Sequence, residues 1–154
     1  MYRTPYAAAL DTTTQAIAVA NTEQVVTFDT NVVTNKIAHS TGSQPARFTV
    51  NEAGTYLVTY FLQIASSAAL KIADSWIRIN GADVANSNTK TVLVAINEQK
   101  LVTGHVVAVL TAGQYIELMF NATATSVSII AVAAGVTPTR PVTPSARLII
   151  EKIQ

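Results

Sequence analysis

Residues 47–65 read RFTVNEAGTYLVTYFLQIA and contain a long strand pattern that begins after a turn. From Gly54 onward the side chains alternate between two faces, and Tyr56, Val58 and Tyr60 share one of them. β-Branched and aromatic residues of this kind suit a pleated, packed surface. A strand this long needs a partner on each edge and a second sheet over its tyrosine face. The pattern therefore predicts the central strand of a β-sandwich.

A shorter apolar segment, Phe48 to Val50, lies immediately before this strand. The residues between the two, Asn51 to Gly54, have the composition of a turn. We expect the short segment to be an edge strand.

Similar alternation recurs along the rest of the chain, without any segment of helical period. Asn80-Gly81, between two apolar runs, predicts a tight hairpin turn because both residues tolerate positive φ. The prolines of Thr137 to Pro144 predict an extended loop before a last strand at 147–153. The pattern contains nine or ten strands and favours an all-β jelly roll of two sheets.

Composition limits the function classes. The 154 residues are enough for one domain, and the absence of cysteine excludes disulfides and thiol chemistry. With a net charge of +1 and no cluster of Lys or Arg, we expect no nucleic-acid partner. No signal peptide is expected at Met1 to Arg3, and no apolar run is long enough to cross a bilayer.

The chain carries unusually little charge. Charged residues make up 12% of it, against about 25% in an ordinary soluble domain. Thr, Ser, Asn and Ala stand where a monomer would carry Lys and Glu. This favours a surface covered by neighbouring subunits, with a low-charge, Thr-rich β surface as the alternative.

The first fifteen residues show no clear period, and Pro5 and the threonines at 12–14 disfavour a long regular element. We expect an N-terminal arm over 1–15, ahead of a jelly-roll domain over 16–154. A frayed terminus is the alternative. The arm would dock through four side chains, Tyr2, Arg3, Tyr6 and Leu10.

Two motifs resemble the tumour necrosis factor and complement-globular-head superfamily. The first is Phe48-x-Val50 followed by Ala53-Gly54-x-Tyr56-x-Val58-x-Tyr60. The second is Leu110-x-x-Gly113-Gln114-x-Ile116-x-Leu118, in which Gln114 stands where the family typically has an acidic residue. The resemblance covers residues 16–154.

That resemblance implies a ten-stranded jelly roll that assembles as a three-fold trimer. Aromatic and aliphatic side chains of one sheet would line the trimer axis. The Thr- and Ala-rich composition looks like the form of this domain in bacteriophage virion proteins, where it serves as capsid decoration (cement) or as a fibre tip. Seven residues are candidates for trimer or core packing: Tyr56, Val58, Tyr60, Trp76, Ile116, Leu118 and Phe120.

A search for catalytic chemistry finds no constellation that would support it. His39 and His105 are the only histidines, and His105 has no nearby acid to orient it. Asp74 and Asp83 are too far apart in sequence to define a calcium site. We predict no catalytic residue, no cofactor and no metal.

The one tryptophan, Trp76, is expected to pack in the core or at a subunit interface, with a carbohydrate platform as the alternative. Arg78 beside it is expected to pair with Glu117 or Asp74.

These observations lead to a non-enzymatic, homotrimeric cement protein on the capsid surface of a phage virion, with the arm on the lattice of the major capsid protein. The absence of heptads, Gly-X-Y repeats or a β-helix period favours decoration over a fibre. The alternative is a receptor-binding head of a tail fibre or spike that recognises host glycan or protein. A glycan-cleaving enzyme would need a carboxylate pair that the sequence does not reveal.

Overall fold

A computed structural model describes residues 4–154, and every regular element in that range is a β-strand. The strands are β1 Tyr6–Asp11, β2 Gln15–Ala16, β3 Gln24–Val25, β4 Thr30–Asn35, β5 Ile37–His39, β6 Phe48–Val50, β7 Gly54–Ser66, β8 Lys71–Ile79, β9 Ala82–Asp83, β10 Thr89–Leu93, β11 Glu98–Leu110, β12 Tyr115–Ala122, β13 Val127–Ile129, β14 Gly135–Val136, β15 Thr139–Arg140 and β16 Ala146–Lys152.

The first sheet is built around β7, as the sequence predicts. β7 pairs along its whole length with β11 and, on its other edge, with β16. The sheet continues from β16 to β1 and β4, while β13 pairs with the end of β7 and with β2. All of these pairings are antiparallel.

The second sheet has the order β10-β8-β12-β6-β5. In addition, β9 pairs with β8 and β3 pairs with β12. β6 therefore lies between β12 and β5 in this sheet, whereas β7 lies in the other. The turn at 51–54 thus carries the chain across the sandwich. The prediction of an edge strand at Phe48 to Val50 is wrong, because β6 is paired on both sides, with β12 and with β5.

The two sheets enclose one apolar core. Tyr56, Val58 and Tyr60 of β7 are buried against the second sheet, with at most 1% of each side chain exposed. Three residues of β12 complete the facing layer and are fully buried: Ile116, Leu118 and Phe120. Six of the seven candidate packing residues thus lie inside a single subunit.

The hairpin at Asn80-Gly81 forms as predicted. Asn80 has φ 49° and Gly81 has φ 79°. Ile79 and Ala82 pair across it, which joins β8 to β9 through a two-residue turn. Both central residues adopt the left-handed conformation that such turns require.

The N-terminal segment is a central strand of the first sheet, which corrects the expected arm. β1 lies between β16 and β4, with Tyr6 opposite Glu151. The Lys152 N–H also donates to the carbonyl of Pro5 at 2.9 Å. Ala7 and Ala9 on one face of β1 are buried and let the strand pack closely over the core. The run of three alanines at 7–9 shows no apolar–polar alternation, so the sequence gives only a weak strand signal. The domain therefore begins before residue 16.

A buried polar network closes this end of β1. The Asp11 carboxylate is 2% exposed and accepts hydrogen bonds at Oδ2 from Ser145 Oγ and Gln15 Nε2, both at 2.7 Å. Thr13 Oγ1 donates to the same carboxylate at 3.1 Å. Gln15 in turn bonds the backbone of Thr27. The network ties the start of the chain to the segment before the last strand.

Tyr60 and Gly104 form a size-matched pair across β7 and β11. The Tyr60 hydroxyl contacts Ser75 and Thr89 at 3.1–3.2 Å, which holds the ring in place. A Cβ added at Gly104 would lie 2.3 Å from that ring.

We therefore expect Gly104→Ala to lower the free energy of unfolding by about 2 kcal/mol, since the anchored ring cannot move aside without losing its bonds. Urea denaturation measures this. Gly42→Ala is the matched control, because nothing lies within 4 Å of a Cβ at that position. Equal midpoints for the two variants would contradict the argument.

No helix within residues 4–154 has the length and apolar character needed to cross a membrane.

Candidate functional site

The outward surface of the first sheet is apolar and mostly uncovered. We call it the open face, and it consists of Tyr6, Ala8 and Leu10 on β1, Leu57, Thr59 and Phe61 on β7, Leu101, Thr103, His105, Val107 and Val109 on β11, and Arg147, Ile149 and Glu151 on β16. These residues alternate with buried core residues along β1, β7 and β16, and with buried or half-buried residues along β11.

Exposure on the open face is greatest along β11. Leu101, Val107 and Val109 are 64%, 58% and 80% exposed. Val107 is the register partner of Leu57, and Val109 that of Thr55, so the apolar surface continues onto β7. A contiguous exposed apolar surface marks an interaction site in soluble proteins.

Ionisable groups are few on the open face. Arg147 and Glu151 lie on β16, opposite Phe61 and Leu57. His105 lies on β11, opposite Thr59. A surface with few charges and several exposed aliphatic side chains has the composition found in the centre of protein interfaces.

The contacts of His39 indicate a role in packing. Its ring stacks on Phe48 with centroids 4.0 Å apart, and its two nitrogens contact Asn31 Oδ1 at 2.5 Å and the Pro45 carbonyl at 3.0 Å. Both ring nitrogens therefore have partners within the protein, and these contacts connect β5 to β4 and to the loop before β6.

The second sheet carries a pocket on its outward surface. Trp76 lies half-buried there, and its indole Nε1–H donates to Asp83 Oδ1 at 2.7 Å. Asp74 lies two residues earlier on the same face, between its register partners Asn121 and Lys90. The cavity is about 380 Å³, and its walls are Asp74, Trp76, Asp83, Val84, Asn86, Asn88 and Asn121. We call it the tryptophan pocket.

Arg78 anchors the hairpin beside this pocket. Its guanidinium donates to Asp83 Oδ1 at 2.8 Å and to Glu23 Oε2 at 2.6 Å. The Arg78 bond, followed by the Trp76 bond, holds the pKa of the Asp83 carboxyl below its ordinary value of 3.8. Asp83 is therefore ionised at neutral pH.

The predicted partners of Arg78 were Glu117 and Asp74, and the structure corrects both. Glu117 is the register partner of Arg78, but its carboxylate accepts from Arg47 Nε at 2.8 Å. Asp83 is the register partner of Arg78 across the predicted Asn80-Gly81 hairpin. Glu23 approaches from the residue before β3, which the sequence order does not bring near Arg78.

The remaining candidate residues from the sequence lie in three different places. Trp76 lies outside the core, on the outer surface of the second sheet, because it belongs to the opposite face of β8 from buried Ile77. Tyr6 and Leu10 lie on the open face, and Tyr2 and Arg3 lie outside the described residues. Any role of these residues in assembly stays a prediction.

The exposed side of β11 was visible in sequence as the alternation of Leu101, Thr103, His105, Val107 and Val109. It was not among the candidate sites because alternation alone does not say which face is covered. Within residues 4–154, no group of three or more His, Cys, Asp or Glu side chains is arranged to hold a metal ion.

A solved structure has a similar fold. The "Globular Domain of Zebrafish Complement 1qA protein" matches 99% of this chain and 98% of its own with a TM-score of 0.57 and 14% sequence identity, a likeness that establishes the fold. The protein is thus an all-β jelly roll similar in fold to that globular domain, and the two sheets confirm the predicted fold class.

The sequence identifies the family within that class. Residues 7–154 match the BclA C-terminal domain family, and the chain belongs to it. No curated protein matches the sequence.

Proposed function

We propose that the protein is a non-enzymatic structural domain that assembles into a homotrimer through the open face and decorates the surface of a bacteriophage head. One observation carries the assembly step: Leu101, Val107 and Val109, each more than half exposed, share the outward face of β11, and Val107 stands opposite Leu57 of β7.

Burial favours the open face as the assembly surface over the packing residues that the sequence predicted. Tyr56, Val58 and Tyr60 are already enclosed within one subunit, so they gain nothing from association. Leu101, Val107 and Val109 would each lose most of their contact with water, at about 25 cal/mol per Å² of apolar surface. Globular domains of the C1q and BclA type typically form homotrimers, which agrees with this reading.

Symmetry supports the location on a capsid. A trimer with a three-fold axis fits the three-fold and local three-fold positions of an icosahedral shell. Three weak contacts per trimer would then add by avidity. The low charge of the chain suits a protein surrounded by other subunits.

The corrected N-terminus changes how the capsid contact is tested. Deleting residues 1–15 would remove a central strand, so the result would report unfolding. Beginning the chain at Thr4 instead removes Tyr2 and Arg3 and leaves β1 intact.

The experiment compares the full chain with this shortened chain for binding to emptied, undecorated capsids and to host cells. We expect the full chain to bind capsids and the shortened chain to bind them more weakly. Sedimentation of both chains at the same mass is the control for assembly. Binding to cells with none to capsids would overturn the capsid proposal and favour the receptor-binding head of a fibre or spike.

A further inference from the structure

The tryptophan pocket has features of a ligand-binding site, and the proposed assembly through the open face does not involve it. It lies on the second sheet, and all of its walls belong to one subunit. The open face lies on the first sheet. Occupation of the pocket and assembly through the open face are therefore separate events.

One wall of the pocket is an aromatic ring in a fixed position. The indole N–H of Trp76 bonds to Asp83, and Arg78 holds the same Asp83 oxygen. The ring itself lines the cavity. An aromatic surface whose polar end is already bonded offers its face for packing against apolar C–H groups.

Hydrogen-bond acceptors surround the ring. Asp74 Oδ1 accepts from Asn88 Nδ2 at 3.0 Å, and Asp83 Oδ1 accepts from Trp76 and Arg78. These contacts use one oxygen of each carboxylate, so Oδ2 of each can accept from a ligand.

Asn121 adds an acceptor that the protein leaves unsatisfied. Its Oδ1 is buried and has no hydrogen-bond partner among the described residues. Asn121 lines the pocket beside its register partner Asp74. A buried acceptor without a partner is uncommon in folded proteins, and a ligand hydroxyl would reach this one once the Asn121 side chain turned toward the cavity.

The charges in the pocket are balanced by the protein. Asp83 is paired with Arg78 at 2.8 Å, and Lys90 Nζ lies 3.9 Å from Asp74. A metal cation would have to compete with these partners. An anion would meet two carboxylates. These paired charges favour a neutral ligand that donates hydrogen bonds.

We propose that the tryptophan pocket binds a neutral pyranose sugar. One apolar face of the ring would pack on Trp76. The sugar hydroxyls would donate to Asp74 and Asp83, and to Asn121 once its side chain has turned toward the cavity. The cavity of about 380 Å³ has room for one or two sugar rings.

The test uses the intrinsic fluorescence of Trp76, which is the one tryptophan in the chain. The full chain is titrated with the methyl glycosides of glucose, galactose, mannose and N-acetylglucosamine. At least one is expected to give a saturable change in emission, with a dissociation constant on the order of 1 mM. Sorbitol is the control ligand, because it has hydroxyls but no apolar ring face.

Variants connect the signal to the proposed contacts. Asn121→Ala and Asp74→Asn are each expected to weaken binding by about fivefold to tenfold, as expected for the loss of one hydrogen bond. Asn51→Ala, in the turn before β7 and away from the pocket, is expected to leave binding unchanged. Asp74→Asn keeps the size of the side chain, so a folding defect in Asn121→Ala would not obscure the result.

The proposal is overturned if no glycoside changes the emission, if sorbitol acts equally, or if both pocket variants bind as tightly as the unaltered chain. Sedimentation of the same samples reports assembly independently. A failure of sugar binding is thereby distinguished from a failure of the trimer.

Discussion

Val107→Asp is expected to convert the assembled protein into single subunits of 16.3 kDa. Val107 is 58% exposed on the open face and stands opposite Leu57. In the proposed trimer the new carboxylate would be buried without a partner in each of three copies. Desolvation of an unpaired charge costs several kcal/mol per site, which exceeds what a few aliphatic contacts supply. Sedimentation equilibrium measures the change in mass.

Val19→Asp is the matched control. Val19 is 59% exposed, close to the value for Val107, but it lies in the bend between β2 and β3. We expect this variant to remain trimeric. Sedimentation of the unaltered protein as a single subunit would remove the trimer and the capsid role that depends on it.

Asp11→Ala is expected to cause the largest loss of stability, about 3 kcal/mol. The substitution removes the acceptor for Ser145 and Gln15, and Ser145 is fully buried. Donors that are buried and unsatisfied keep their full desolvation penalty. For a chain of this length the loss corresponds to a decrease in Tm of about 6–12 °C. Thermal unfolding at one fixed protein concentration measures it, since assembly makes Tm depend on concentration.

Asp29→Ala provides the comparison for Asp11. Asp29 also accepts hydrogen bonds from threonine hydroxyls, those of Thr12 and Thr30, but it is exposed. Water replaces lost partners at an exposed site, so we expect a change below about 1 kcal/mol. If Asp29→Ala were as damaging as Asp11→Ala, burial would not be the cause of the Asp11 effect.

The sequence predicted those parts of the fold that depend on local alternation. The length of β7, its central place and the turn at Asn80-Gly81 follow from period and turn chemistry, and the structure confirms them. The sheet to which β6 belongs does not follow, because a turn between sheets and a turn within a sheet use the same residues.

β1 shows a second limit of local reasoning. The segment has no clear period, and Pro5 and the threonines at 12–14 disfavoured a regular element, so the sequence pointed to an arm. The strand forms because β16 and β4 supply its hydrogen-bond partners, which is a tertiary effect.

The candidate sites also depend partly on local sequence pattern and partly on tertiary structure. The apolar side of β11 is present in the sequence as a pattern, but its exposure depends on which sheet face the second sheet covers. The tryptophan pocket brings Asp74, Asp83 and Asn121 together from β8, β9 and β12. Spacing along the chain does not encode such a cluster, and only the register of β8 against its neighbours brings it together.

The adjacency of β1 and β16 has a practical consequence. Tyr6 stands opposite Glu151, and Pro5 is bonded to Lys152, so both ends of the domain leave the sandwich at the same pole. A tether or a displayed peptide fused to either end would emerge on that side. A short linker between the two ends would also allow a circular permutant, with new termini opened in the exposed loop around Gly42.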